Sequence, residues 1–230
     1  MGSKPNINDL IFKELIKRGY AEEDGKKIWN IADSKLWYLT PEQSQAYLDL
    51  ENSDDYKSAI NDEEGKKFRT SKSDEIIAWA GDDPINVIDL GCGDGQKAAE
   101  IIKALNGKVK VRYCPIDISS HMVQEAKKTF KEENIAEIVE FQYNISDFEN
   151  LENVIPLLRI GEYKKSLLLI LGNTLGNFEI NELLYEIRSA MKGDDMIMID
   201  NSLADKEIEK KVELHSKNDL ANKFLMHIPL

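Results

Sequence analysis

Ile85-Asn86-Val87-Ile88-Asp89-Leu90-Gly91-Cys92-Gly93-Asp94-Gly95 is a short apolar run that ends in an acid and passes into glycines at alternate positions. The residues that follow, from Gln96 to Leu105, carry Ala98, Ile101, Ile102 and Leu105 at helical spacing. The stretch reads as strand, glycine turn, helix. Glycine is needed where a backbone turns sharply with positive φ or lets a ligand lie against it. The helix start behind the turn presents unpaired N–H groups and the positive end of a dipole. The spacing G-x-G-x-G differs from the G-x-G-x-x-G of dinucleotide sites and from the G-x-x-x-x-G-K-[ST] of phosphate loops. A tight structural turn would also account for the triplet taken alone.

Outward from this stretch, strands and helices alternate. Beyond Ile85–Leu90, strands are predicted at 109–116 (ending at Asp117), 138–143, 167–171 and 196–199 (ending at Asp200). The run at 167–171 is wholly apolar, as expected at the centre of a parallel sheet. Helices are predicted at 118–131, at 147–158 as a crossover, and from an Asn181 cap through Leu183, Leu184, Ile187 and Met191. Such alternation implies right-handed βαβ units and an α/β, doubly wound, mostly parallel sheet.

The amino-terminal part reads differently. Asn8-Asp9 can cap a helix bearing Leu10, Ile11, Leu15 and Ile16 that stops near Gly19, and a second helical stretch is expected around 24–32. Thr40 before Pro41 reads as an N-cap with proline at the first helical position, opening a helix through Ala46, Tyr47, Leu48 and Leu50. The polar segment 52–72 is expected to be a surface helix or loop. Residues 1–75 thus form a helical cap, 76–201 the core, and 202–230 a carboxy-terminal segment, helical over 205–222 and apolar from 223 to 230.

The chain has 230 residues, 42% hydrophobic and 31% charged, enough for one domain or one plus a small subdomain. Its net charge of −12 disfavours a grip on a nucleic-acid backbone and would suit a basic protein partner. No apolar run approaches a membrane span, and the start lacks the apolar stretch of a signal peptide. Gly2 invites a test for myristoylation, but the motif wants serine or threonine where Asn6 stands. Cys92 and Cys114 sit in apolar settings, so no disulfide framework is expected and the cytoplasm is the default location. His121, His215 and His227 share no ligand spacing with each other or the cysteines, so no metal site is expected.

In doubly wound sheets ligands lie beyond the carboxyl ends of the strands, where strand order reverses. Asp117, some way beyond the glycine turn, can accept the hydroxyls of a ribose, or can simply cap a helix. Asn144-Ile145-Ser146-Asp147-Phe148 follows the third strand. Its side chains or amides can meet an adenine edge with Phe148 on the ring, or Asp147 can be an N-cap. Lys97 can meet a carboxylate or be a solvated helix charge. Gly172-Asn173-Thr174-Leu175-Gly176-Asn177-Phe178 makes either a polar floor to the cleft or a structural turn.

These segments together resemble a known group. D-x-G-x-G-x-G after a strand is similar to motif I of the class I S-adenosylmethionine (SAM)-dependent methyltransferases, which have a Rossmann-like fold. There the glycine turn, here Asp89, Gly91, Gly93 and Gly95, lies beneath the amino-acid part of SAM. Leu171 through Phe178 resembles the L-G-[SN]-T-[IL]-G-N-F signature of the histidine-specific (ergothioneine-pathway) methyltransferase family, which contains histidine Nα-methyltransferases and fungal dimethylallyltryptophan N-methyltransferases. Gly93-Asp94-Gly95-Gln96-Lys97 resembles that family's glycine turn followed by lysine, which implies a contact of Lys97 with the SAM carboxylate. Leu36-Trp37-Tyr38-Leu39-Thr40 resembles its E-Y-Y-L-T segment, although the family's L-T-R-T-E stands here as Leu39-Thr40-Pro41-Glu42-Gln43. The likeness runs over about residues 28–200.

The resemblance implies SAM as cofactor, with Asp117, Ser146, Asp147, Phe148, Gly172 and Asn173 completing its site. It implies that Asn177 holds the acceptor's amino-acid group and that Tyr38 lies close to SAM. The expected activity is N-methylation of a histidine-like amino acid or related small amine. Two alternatives stay open: another small-molecule or protein acceptor, and a SAM-binding partner subunit without chemistry of its own. A full methyltransferase sheet ends in two further antiparallel strands, for which 202–230 offers little room. The expectation there is a shortened substrate region or a sequence that omits part of it.

Overall fold

A computed structural model of the chain describes residues 12–13, 15–16, 19–28, 34–38, 40–59, 62–146, 148–201 and 218–225. The expected cap at Asn8-Asp9, Asp147, and the segment 202–217 lie outside the described residues. In chain order, a hairpin of β1 (Ala21–Glu23) and β2 (Lys26–Ile28) comes first. Helices α1 (Pro41–Glu51), α2 (Asp54–Ala59), α3 (Asp62–Ser71) and α4 (Ser73–Ala80) follow. Then come β3 (Ile85–Leu90), α5 (Gln96–Ala104), β4 (Val111–Ile116), α6 (Ser120–Glu133) and β5 (Glu137–Ile138). The last elements are α7 (Leu151–Leu158), β6 (Lys165–Ile170), α8 (Ile180–Ala190), β7 (Met196–Ile199) and α9 (Asp219–Leu225).

Among the described residues, β3 to β7 form a parallel sheet in the order β5-β4-β3-β6-β7. The chain enters at the centre, winds outward one way, and returns to wind the other. Strand order therefore reverses between β3 and β6, the doubly wound arrangement expected from the alternation. Ile85 and Val87 of β3, Val111 and Tyr113 of β4, and Leu167 and Leu169 of β6 pack with α4, α5 and α6. The intervening residues Ile88, Leu90, Cys114, Ile116, Leu168 and Ile170 face α7 and α8. Two buried faces require apolar residues at both parities. That is why 167–170 can be an unbroken run, each side chain contributing roughly 2 kcal/mol by burial.

Asn86 and Arg112 pair inside this sheet. Asn86 accepts from Arg112 Nε at 3.0 Å and Nη2 at 2.7 Å, and donates to Leu158 O at 3.1 Å. Arg112 also donates to Leu158 O and lies over the Tyr163 ring. These bonds tie the end of α7 to the centre of the sheet.

Several elements depart from expectation. The helix expected around 24–32 begins instead as the β1–β2 hairpin. Asp24 (φ 51°) and Gly25 (φ 74°) supply the two positive-φ positions of a tight hairpin turn, and the D-G pair selects it. The strand expected at 138–143 shrinks to Glu137–Ile138, with one later bridge between Ile145 and Asp117. Asn144 is the reason. Its Oδ1 accepts from Phe141 N at 2.8 Å and its Nδ2 donates to Pro115 O at 2.8 Å, folding 142–144 into a 3₁₀ turn. The helix credited to an Asn181 cap starts two residues earlier, capped by Glu179, which accepts from Glu182 N at 2.9 Å. The 147–158 crossover becomes a 3₁₀ turn over Phe148–Asn150 followed by α7. In the carboxy-terminal segment, helix α9 extends through residues expected to have left the helix. The α1 start matches its reading: Thr40 Oγ1 accepts from Gln43 N and Gln43 Oε1 from Thr40 N, a capping box with Pro41 at its first turn.

The segment 52–72, expected at the surface, contains a buried cation. Arg69 is 2% exposed. It donates through Nε and Nη2 to Glu100 of α5 at 3.0 and 2.7 Å, and through Nη1 to Asp200 beyond β7 at 2.6 Å. One guanidinium thus clamps α3 to two parts of the core. Removing one partner of a buried ion cluster strands the others, at a cost of about 3–5 kcal/mol. Arg69→Met should therefore lose about 3 kcal/mol or more of unfolding free energy in urea titration. Lys110→Ala, which breaks the exposed Lys110–Glu162 pair, should leave it unchanged within the error of the same titration.

Candidate active site

The glycine turn after β3 is held in the left-handed region at Gly91 (φ 73°), Gly93 (φ 52°) and Gly95 (φ 76°). Gly91 N donates to Ile116 O at 2.8 Å, which ties the turn to the end of β4. A Cβ on Gly91 would lie 2.7 Å from Thr174 Cγ2, and one on Gly95 3.1 Å from Ala126 Cα. Packing alone therefore demands glycine at both. Gly93 is different: the nearest atom to an added Cβ is Glu51 Oε2 at 3.9 Å, so its surface is open to the cavity.

The cavity beside this turn has a volume of about 300 Å³. The core supplies the turn, the end of β4, the Ser146–Phe148 neighbourhood and the loop after β6. The cap supplies Trp37, Tyr38, Tyr47, Glu51 and Tyr56, and α9 supplies Phe224. Tyr38 meets Tyr47 edge-on at 5.4 Å between ring centroids, and Phe224 lies 5.5 Å from Tyr47 and 6.1 Å from Tyr38. This aromatic cluster covers the mouth of the sheet.

Burial sets the charge states. Asp117 accepts from Ser119 N at 2.9 Å and Gly93 N at 3.5 Å. Desolvation pushes its carboxyl up to about 6 despite these bonds. Asp89 is more deeply enclosed and is pushed up to about 7, although the Tyr113 hydroxyl, donating at 2.8 Å, favours its ionised form. Burial, then the nearby carboxylates of Asp117 and Glu51, raise Tyr38 far above an ordinary phenol. Lys97 Nζ donates to Glu51 Oε1 at 2.5 Å. Burial alone would lower the lysine, but Glu51 outweighs it, and the ammonium stays charged.

Of the residues singled out from the sequence, the fold brings Asp89, Gly91, Gly93, Lys97, Asp117, Ser146, Phe148, Asn173, Asn177 and Tyr38 to this one cavity. Gly95 and Gly172 stand behind it. Gly95 lets the turn pack on α6, and Gly172 leaves room for Lys97, whose Cε would be 3.4 Å from an added Cβ. Asp117 does not cap α6; Ser119 does, accepting from Met122 N. Sequence reasoning missed Glu51, Tyr47, Tyr56, Thr174 and Phe224. Tyr47 and Glu51 stand four apart in a helix whose start was legible, so they share a face, but nothing local says what that face meets. Phe224 has no local signal at all.

The lining fits a cationic nucleoside. Among the described residues that form it, four carboxyl groups (Glu51, Asp89, Asp94 and Asp117) face one cation, Lys97. The open surface at Gly93 admits a ligand against the backbone. Among the described residues no group of three His, Cys, Asp or Glu side chains is arranged to hold a metal ion.

No curated protein matches the sequence. Among solved structures, the chain is similar to the plantazolicin methyltransferase BpumL in complex with a triazolic desmethylPZN analog and S-adenosylhomocysteine (SAH). The identity is 20%, over 96% of this chain and 69% of that one, with a TM-score of 0.52. The pentazolic complex of the same enzyme gives 20% identity, 96% and 70% coverage, and a TM-score of 0.50. At such identity the likeness establishes the fold. The family is established separately, by a model described as "Histidine-specific methyltransferase, SAM-dependent" that matches residues 61–213. With a doubly wound sheet, a glycine turn at its switch point and a matched segment spanning both, the chain belongs to the histidine-specific, SAM-dependent methyltransferase family and is a SAM-dependent methyltransferase.

Proposed function

We propose that the enzyme N-methylates a small amine, in the first place a histidine-like amino acid, with Asn177 and Tyr38 orienting the acceptor. One observation carries this reading: the Tyr38 phenol from the cap and the Asn177 side chain from the loop after β6 line the same cavity of about 300 Å³. That volume suits a nucleoside and a small acceptor. The proposed division is a cap over residues 1–75, a SAM-binding core over 76–201 and a substrate-side segment over 202–230.

SAM, when bound, supplies a methyl group on a sulfonium for in-line displacement at carbon. The chain's task is alignment and the exclusion of water. An amine acceptor must be neutral to attack, so its proton has to leave to water or a neighbouring acceptor. Tyr38 stays protonated at neutral pH and therefore serves as a hydrogen-bond donor rather than a base. Asn177, exposed in the 3₁₀ turn Thr174–Asn177, offers both a donor and an acceptor without charge. On the cofactor side, Asp117 takes the ribose hydroxyls, the glycine turn and Lys97 the amino-acid end, and Ser146 with Phe148 the adenine; Asp147 belongs to the same proposed group. Buried, unpaired Cys92 and Cys114 suit a reducing compartment, which favours the cytoplasm.

Replacing Asn177 by Ala should raise KM for the acceptor at least tenfold or abolish turnover, with SAM affinity changed by about twofold or less. Equal losses in both, read by steady-state kinetics beside calorimetry, would remove Asn177 from the acceptor role. The pH dependence follows from Asp117 and Asp89. Both folded values, about 6 and about 7, lie above the unfolded carboxylate value near 3.9. Their contribution to folding stability is thus present in acid and lost as pH rises through 6 to 7. Ligand binding carries the opposite sign, because a cation and a diol favour the ionised acceptor. SAM affinity should rise from pH 5 to 8, and Asp117→Asn should remove the bend near 6 and weaken binding at pH 8 by about tenfold or more. An unchanged profile in titration calorimetry would exclude Asp117 as the ribose acceptor.

A further inference from the structure

Glu51 ends helix α1 and reaches into the core from the cap. It has one bond among the described residues, from Lys97 Nζ to its Oε1. The other oxygen, Oε2, lies over Gly93 at the open stretch of the glycine turn. The remaining carboxyl groups of the cavity already have donors: Asp117 two backbone amides, Asp89 the Tyr113 hydroxyl, and Asp94 the Gln96 amide at 3.1 Å and Asn52 Nδ2 at 3.4 Å. Glu51 differs from them in place: its second oxygen borders the open stretch of the turn, where a ligand can reach it, and its side chain is 15% exposed.

The position identifies the donor. If the nucleoside part of SAM sits at Asp117 and Phe148, the rest of the molecule runs along the glycine turn to its far end. There Lys97 and Glu51 stand side by side, Lys97 packed in the space left by Gly172 and Glu51 beside the bare backbone of Gly93. A cation and an anion in contact form a receptor for a zwitterion, the ammonium against the carboxylate and the carboxylate against the ammonium. We propose that Glu51 takes the α-ammonium of SAM, so that the cap helix completes the cofactor site and pairs with Lys97 around the amino-acid end. This rests on the reading of the cavity as the SAM site. It also gives α1 a reason to stay docked, through Ser44 Oγ to Ser119 Oγ at 2.6 Å and Gln45 to His121 at 2.9 Å.

The test uses ligands with and without the amino-acid end. For the full chain, titration calorimetry would compare SAH with 5′-methylthioadenosine, which keeps the nucleoside and sulfur but lacks the zwitterion. Glu51→Gln should weaken SAH by about tenfold or more and leave methylthioadenosine within about twofold. A loss shared equally by both ligands would mean that Glu51 acts through cap folding, and no loss for either would overturn the proposal. Deaminated SAH on the wild-type protein supplies a measurement independent of the variant's folding. It should lose a factor similar to that of Glu51→Gln, and undiminished binding would count against the ammonium contact. Absence of SAH binding by the wild-type chain would instead overturn the assignment of the cavity.

Discussion

The chain's organisation depends on a steric constraint at the carboxyl end of β3. That strand is buried on both faces, so it cannot continue into solvent; it must turn at once and start a helix that covers the sheet. Gly91 and Gly95 make the turn where any side chain would collide with Thr174 or with α6. The backbone of Gly93 is left bare as a consequence, at the point where strand order reverses. The cavity is thus a by-product of how a doubly wound sheet closes its central strand. Hydrogen bonds from the turn to Ile116, and from Ser119 and Gly93 to Asp117, fix the ends of β3 and β4 relative to one another.

The cap is attached by different physics. Its contacts with the core are largely polar: the serine pair, the Gln45–His121 bond, the Glu51–Lys97 ion pair and the Arg69 clamp. Its apolar contribution is concentrated in the cluster of Trp37, Tyr38, Tyr47 and Tyr56 with Phe224 of α9. Two segments far apart in the chain therefore share one small apolar patch that lines the cavity. Polar tethers have strict geometry, so the cap's position is specified even though it buries little core. Burial raises Asp89 and Asp117 and, with the nearby carboxylates second to it, keeps Tyr38 protonated.

The sheet was legible because its signals are local and repeated. An apolar run with residues of both parities buried has only one home, and Thr40-Pro41 with Gln43 encodes a helix start within four residues. Asp24-Gly25 carries an equally local signal, two positive-φ positions that select a tight hairpin turn over a helix. The third strand failed for another reason. Asn144 satisfies two backbone groups by itself, and its competition with the ladder depends on Pro115 being beside it in space. Arg69 looked like surface because charge in a polar segment usually is; only Glu100 and Asp200, distant in sequence, make its burial tolerable.

By itself the sequence determined the alternating α/β order, the conformation of the glycine turn and the identity of the polar residues at the strand ends. These follow from side-chain period and backbone sterics, which act over a few residues. Tertiary structure decided which residues meet around the cavity at those strand ends. Glu51 meets Lys97, Tyr38 meets Phe224, and Thr174 backs Gly91, each pairing positions more than forty residues apart. Burial then decided the charge states of Asp89 and Asp117, because desolvation is a property of the assembled neighbourhood and of no single residue.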